Sequence, residues 1–399
     1  MAARPGLVAP ARPAAASVRP VKRVAVVFGT RPEAIKLAPV VHALAASPHF
    51  EPRVHVTAQH RSMLDPMLAF FGIEPDSDLD LNRAGQTLTD VTAGALAGLT
   101  AALHAERPDA VVVQGDTTTA FAGALAAYYE RIPVAHVEAG LRTGDRYSPF
   151  PEEINRRLVS QLATLHLAPT QAAAANLFAE GVAPAAVVVT GNTVVDALQW
   201  ALAHRSPLAD PALAALVEDP RRLLLVTAHR RESWGERLRE IGRALADLAA
   251  GDPGLLVVFP IHRNAVVREA ILPAVEGLEN VRVCEPLPYG EFVALLERAH
   301  AVLTDSGGIQ EEAPTLGTPV LVLRPATERP EAVHHGSSLV IGTRREEIVS
   351  AVRRLLDDPA AHAAMVARRN PYGDGRAAER CVAALAAHLG LGARPEEFS

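Results

Sequence analysis

The chain reads as an α/β protein built from two doubly wound, Rossmann-like domains that face a central cleft. Three observations lead there. Its 399 residues exceed the size at which a single core stops growing. From Arg23 onward, short β-branched runs alternate with longer Ala- and Leu-rich stretches, the pattern of βαβ units on a buried parallel sheet. The alternation runs through two successive series, separated by a stretch rich in Pro and Asp.

Residues 1–20 hold Ala, Pro and Arg without apolar periodicity and read as a disordered tail. The first domain, 21–190, places strands at 23–28, 53–57, 110–114, 134–137, 164–167 and 187–189, each a short apolar run with helix-forming sequence between them. Residues 191–205 read as a helix and 206–220 as a connection, which puts the hinge near residue 190. The second domain, 191–375, repeats the pattern with strands at 223–227, 255–259, 281–283, 301–303, 319–323 and 339–341. A final helix, at about 376–399, is expected to rejoin the first domain. No internal repeat is visible, so a solenoid is excluded.

Composition narrows the function. With 49% hydrophobic and 21% charged residues the chain can bury a large core and is neither disordered nor fibrous. A net charge of -6 supplies no global field toward nucleic acid or an anionic membrane, so neither is expected as a partner. Cys284 and Cys381 are too few for a disulfide scaffold or a zinc site, which points to the cytoplasm. No apolar run is long enough to span a membrane, and Arg4, Pro5, Pro10, Arg12 and Pro13 interrupt any signal-peptide core. Of 39 Lys and Arg residues only Lys22 and Lys36 are lysine. A lysine in this chain is therefore informative.

The chemically suggestive motifs sit at carboxyl ends of strands, where doubly wound sheets bind ligands. Phe28-Gly29-Thr30-Arg31-Pro32-Glu33-Ala34-Ile35-Lys36 is a strand-to-helix turn whose amides, with Arg31 and Lys36, suit an anion. A well-capped loop with Lys36 in solvent competes with that reading, and the scarcity of lysine favours function. The spacing matches neither a dinucleotide fingerprint nor a P-loop. Gln114-Gly115-Asp116 and His136-Val137-Glu138 follow two further strands, and Glu152 and Glu153 open a helix after Pro151. Asp116 alone could be a helix cap, and Glu152 or Glu153 could serve only the helix dipole. Asp116, Glu138 and one of Glu152 and Glu153 converge on one crevice, where like charges raise at least one pKa, as general acid–base catalysis requires. His136 and Glu138 share a face, but no further His or Cys completes a metal site, so no metal is expected.

In the second domain, His229 and Arg230 follow one strand and His262 and Arg263 follow the next, a basic pair of strand ends suited to a diphosphate. His229 as an ordinary surface histidine is the competing reading. In Thr304-Asp305-Ser306-Gly307-Gly308-Ile309-Gln310-Glu311-Glu312, small residues let phosphate oxygens approach backbone amides. Glu312, one turn in, can accept from ribose hydroxyls. This is a nucleotide-sugar pattern.

The strings FGTRPEAIK, QGDTTT, HVEAGLR, SPFPEEINRR, TAHRRES, DSGGIQEEAPTLGTPVL and TERPEAV, in that order, resemble the non-hydrolysing UDP-N-acetylglucosamine 2-epimerases over about residues 21–375. The resemblance implies a GT-B fold and a homodimer. It also implies interconversion of UDP-GlcNAc and UDP-ManNAc without cofactor or metal, supplying ManNAc for cell-surface polysaccharide. UDP would leave C1 as the C2 proton is removed, giving 2-acetamidoglucal, and then add back with a proton on the other face. Catalytic positions match Asp116, Glu138 and Glu152, with Arg31, Lys36 and His229 close to the diphosphate. Which carboxylate serves which face stays open. Ser306, Gly307, Gly308 and Glu312 match UDP contacts, Phe292 lies by the uracil, and Arg329 of TERPEAV joins the substrate set. Gln59, Arg230 and His262 match a second, activating UDP-GlcNAc site. Leu287, Ser62 and Gly85 depart from relatives that carry glutamine, glutamine and arginine there. A GT-B glycosyltransferase and a hydrolysing or related 2-acetamido-sugar epimerase are the alternatives.

Overall fold

A computed structural model describes residues 21–59, 61–83, 85–205, 208, 210–327 and 329–399. The expected tail at 1–20 lies outside the described residues. Two parallel sheets organise the rest. The first contains β1 (Lys22–Phe28), β2 (Phe50–Val56), β3 (Ser77–Asp78), β4 (Ala110–Gln114), β5 (Val134–Val137), β6 (Leu165–Ala168) and β7 (Val187–Val189), in the order β3-β2-β1-β4-β5-β6-β7. The second contains β8 (Arg222–Thr227), β9 (Leu255–Pro260), β10 (Val281–Cys284), β11 (Ala301–Thr304), β12 (Val320–Val322) and β13 (Ser338–Val340), in the order β10-β9-β8-β11-β12-β13. Each is Rossmann-like, and the pair makes the GT-B architecture.

The strands form where β-branched runs can be covered on both faces. In β1, Val24, Val26 and Phe28 enter one apolar cluster while Ala25 and Val27 enter another on the opposite face. The strand order reverses between β1 and β4, and again between β8 and β11. Crevices open at such switch points. They fall beside the Gly29, Asp116, His229 and Ser306 turns.

Three local details differ from the sequence reading. β2 starts at Phe50 rather than 53, because Phe50 pairs with Lys22 at the foot of β1. β3 was not expected; it is a two-residue edge strand beside β2, too short and polar to leave a periodic signal. Within the expected connection at 206–220, Pro211–Glu218 is a helix, since Asp210 accepts from the Ala212 N–H and Pro211 occupies the first turn. Pro and Asp there start a helix instead of breaking one.

An aromatic group ties the two halves. Phe70 and Phe71 pack with Trp200 of the Thr193–Ala203 helix and with Tyr289, which opens the Tyr289–Arg298 helix of the second half. The Ala377–His388 helix returns to pack on the Arg31–Ala46 and Thr193–Ala203 helices. Its first amides are held by buried Asp196, whose carboxylate accepts from Ala377 N–H at 3.2 Å and Ala378 N–H at 2.8 Å. No helix among the described residues is long and apolar enough to cross a membrane.

The Asp196 contact is the capping interaction of that returning helix. Asp196→Ala should therefore lower stability by about 1–2 kcal/mol, measured as the midpoint of chemical denaturation, while Asp196→Asn, which keeps an acceptor, should lose less. An unchanged midpoint for Asp196→Ala would mean that the helix docks through its apolar face alone.

Candidate active site

The first wall of the cleft is the turn after β1. A Cβ at Gly29 would lie 2.0 Å from Thr57 Oγ1, so only glycine fits where the chain leaves the sheet. Glu33 then closes the turn: its carboxyl accepts from the Gly29 and Thr30 N–H groups at 3.0 and 2.9 Å, and from the hydroxyls of Thr30 and Thr117 at 2.8 and 2.6 Å. The Thr117 bond fastens the turn to the start of the Thr118–Tyr129 helix. Burial pushes the Glu33 carboxyl up to about 7 despite these donors.

Lys36, one turn into the Arg31–Ala46 helix, is buried and lies between two carboxylates. Its ammonium pairs with Glu138 and lies 3.1 Å from Oε2 of Glu311, which comes from the second half of the molecule. Burial opposes its charge, but the two carboxylates outweigh that and raise the pKa. Arg329 donates to the other oxygen of Glu311. Lys36 is therefore buried, against the competing solvent reading. Lys22, about one-third exposed, ion-pairs with Asp109 at 2.8 Å.

Glu138 follows β5 with φ +61, a left-handed backbone that costs a non-glycine residue about 1 kcal/mol. Donors from Lys36, Gln114 and Asn192, the last at 3.0 Å, fix its carboxylate in that position. Burial alone would raise its pKa; Lys36 and Arg329 hold it below the usual range. Asp116 pairs with Arg156, and its main-chain carbonyl accepts from Asn155 at 3.0 Å. It does not cap the following helix; Thr117 does. Burial raises the Asp116 carboxyl, with Arg156 opposing and Glu138 adding to the rise. Glu152 is raised too, by burial and then by Asp116, and its buried Oε2 has no hydrogen-bond partner among the described residues. Its neighbour Glu153 is structural: it accepts from Thr143 N–H and pairs with Arg156 and Arg157. His136, kept neutral by burial at about 3, bonds the Gly115 carbonyl through Nε2 at 2.7 Å. No cluster of potential metal ligands occurs among the described residues.

The second wall is organised by Asp305. One carboxylate oxygen accepts the His229 and Arg230 N–H groups at 2.7 and 2.8 Å, and the other lies 3.0 Å from His229 Nδ1. Burial would raise this carboxyl, but His229 and those amides hold it below its ordinary value. His229 is thereby oriented, with Nε2 left as the nitrogen available to a ligand. A Cβ at Gly307 would lie 3.6 Å from Arg329 Nη2 and 4.0 Å from Arg230 Nη2, so two guanidinium groups converge on the turn that begins the Gly307–Glu312 helix. Buried Glu312 accepts from the Tyr289 hydroxyl at 2.9 Å. Phe292 and Leu287, both partly buried, pack on the same apolar cluster. Exposed His262 stacks on His229 with ring centres 5.9 Å apart, while Gln59 has a buried Oε1 without a hydrogen-bond partner among the described residues.

The cleft therefore holds two carboxyls biased toward keeping a proton, Asp116 and Glu152, beside one held ionised, Glu138. Guanidinium groups lie on its other wall. Such a set can accept and donate protons beside a bound anionic group. Residues 42–386 match the family model described as UDP-N-acetylglucosamine 2-epimerase. The chain belongs to this 2-epimerase family. It is 51% identical to a UDP-N-acetylglucosamine 2-epimerase of Yersinia pestis, over 92% of this chain and 99% of that one. A protein from S. aureus solved with UDP superposes with a TM-score of 0.87 at 44% identity, covering 95% of this chain and all of that one. The Neisseria meningitidis UDP-GlcNAc 2-epimerase bound to UDP-GlcNAc gives 0.84 at 44% identity, over 91% and 99%.

Sequence reasoning did not single out Glu33, Gln114, Arg156, Asn192 or Glu311, all of which hold the candidate site residues or their turns in place. Glu311 stood in view inside the QEE string, where only its neighbour was read as a ligand contact.

Removing the shared ammonium leaves Glu138 and Glu311 as buried like charges, and the folded-state pKa of Glu138, which Lys36 holds down, rises. A carboxyl with a raised folded pKa loses stability as pH climbs through it. Lys36→Met should thus be destabilised by about 3 kcal/mol near neutrality, with a deficit larger at about pH 8 than at about pH 5. Lys22→Met, on a one-third-exposed pair, should lose no more than about 1 kcal/mol. Equal, pH-independent losses in thermal or chemical denaturation would contradict the buried-bridge reading.

Proposed function

We propose that this protein reversibly interconverts UDP-GlcNAc and UDP-ManNAc by inverting C2 of the sugar, as a non-hydrolysing 2-epimerase. The observation that carries the reading is the trio Asp116, Glu138 and Glu152, with opposite proton biases, set across from the Arg230 and Arg329 guanidinium groups. The C2 hydrogen is not next to a carbonyl, so its removal alone would leave an unstabilised carbanion. Expulsion of UDP from C1 solves this. The C2–H electrons form the C1–C2 double bond of 2-acetamidoglucal as the C1–O bond electrons leave with the diphosphate. UDP then re-adds at C1 while a proton is delivered to the opposite face of C2, so atoms and charge balance with no redox partner.

Each wall has a task in this reading. The carboxyl trio supplies the proton acceptor and the proton donor, a contribution of about 10²–10⁴ in rate. Arg31, Lys36, His229, Arg230 and Arg329 stabilise the charge that develops on the departing diphosphate. Ser306, Gly307, Gly308, Phe292 and Glu312 hold UDP in both ground and transition states. Gln59, Arg230 and His262 are the proposed place of a second, activating nucleotide sugar. The reading also takes from the resemblance a homodimer, a cytoplasmic location, a division at about residue 190 with the last helix returned to the first domain, and supply of ManNAc for polysaccharide.

The test is a single reaction in deuterium oxide containing UDP-GlcNAc and EDTA, without nicotinamide. The expected product is UDP-ManNAc in equilibrium with its epimer, carrying deuterium at C2. Retained protium would contradict elimination, free ManNAc would indicate a hydrolysing enzyme, and no product without an acceptor would favour a transferase.

A further inference from the structure

The nucleotide end of the cleft contains a buried contact that the reaction chemistry leaves unused. Glu312 Oε1 accepts from the Tyr289 hydroxyl at 2.9 Å. The tyrosine ring is fully buried, and two rings from the other half of the molecule hold it: Phe70 edge-on at 5.8 Å and 89°, and Phe71 at 6.2 Å and 40°. The next residue must be small, because a Cβ at Gly290 would lie 2.8 Å from the Phe70 ring. Trp200 packs against both phenylalanines from behind. The hydroxyl is thus aimed by an aromatic wall that spans the two halves.

We propose that Tyr289 is a positioning residue for nucleotide recognition: it orients the Glu312 carboxylate for the ribose and links that contact to the aromatic wall between the domains. The proposal rests on the UDP reading given above. One carboxylate oxygen is taken by the phenol, which turns the other toward the ligand. The surroundings make the hydroxyl matter. Burial pushes the Glu312 carboxyl up to about 7; Tyr289 is the strongest group opposing that rise, Glu311 on the same helix adds to it, and Arg31 and Lys36 from the facing helix counter it. A ribose hydroxyl donates to a carboxylate better than to a carboxylic acid, so UDP affinity falls as pH falls through the Glu312 pKa. Without the phenol, that midpoint moves to higher pH.

The experiment is calorimetric titration of the full-length protein with UDP from about pH 6 to about pH 9, using wild type, Tyr289→Phe and Glu312→Gln. The last supplies the baseline for the nucleotide's own titration. Tyr289→Phe keeps the ring and its packing. It should bind UDP roughly tenfold more weakly near neutrality, with its midpoint shifted upward, and with kcat at saturating substrate within about twofold of wild type. A mere packing role would leave the midpoint in place. Wild-type affinity and an unshifted midpoint in Tyr289→Phe would overturn the proposal, as would a pH dependence that persists unchanged in Glu312→Gln. Absence of UDP binding to the wild-type protein would instead sink the underlying functional reading and this inference with it.

Discussion

A single buried ammonium, that of Lys36, lies between a carboxylate from each half of the molecule, Glu138 and Glu311. Taking three charges out of water is unfavourable unless each is paired, and a buried pair that loses one partner costs about 3–5 kcal/mol. The surrounding structure is arranged accordingly. Asn192 and Gln114 occupy the remaining capacity of Glu138, Arg329 takes the second oxygen of Glu311, and the left-handed backbone at Glu138 is tolerated because its side chain is held from several sides. The Glu33 turn in turn sets where the Lys36 helix begins.

The same bridge orders the chemistry by charge. Next to Lys36, Glu138 is kept ionised; Asp116 is pushed toward the protonated form by burial and by Glu138, and Glu152 by burial and by Asp116. Environment, not residue type, thus separates three carboxyls into different proton affinities, which is how one cleft can hold both an acid and a base. On the opposite wall, Asp305 stays ionised and aims His229, while guanidinium groups gather at Gly307. The reaction proposed for the site needs both walls at once, and Lys36 is the group that touches both.

Much of this was legible in the sequence, for identifiable reasons. Strands such as 110–114 and 134–137 are continuous apolar runs that end in polar turns, so topology alone placed Asp116 and Glu138 at one crevice. Lysine scarcity marked Lys36. What stayed hidden depends on contacts between distant segments: Arg156 lies 40 positions from Asp116, and Asn192 lies 54 from Glu138. Glu311 was invisible because two adjacent glutamates on a short helix look alike until packing turns one toward Lys36 and the other toward Tyr289. The helix at Pro211–Glu218 was missed because Asp and Pro signal both loops and helix starts.

In the proposed reaction the cleft requires a compact ammonium at Lys36, not merely a positive charge. Arginine would carry the charge on a planar, bulkier group that cannot sit between two close carboxylates in the same way. The decisive measurement is kcat/KM for UDP-GlcNAc epimerisation by Lys36→Arg, with Lys22→Arg as the control in which charge alone should suffice. Lys36→Arg should lose roughly tenfold or more, about 1.4 kcal/mol of transition-state stabilisation, while Lys22→Arg should keep wild-type activity. Wild-type activity in both variants would mean that charge alone suffices at Lys36.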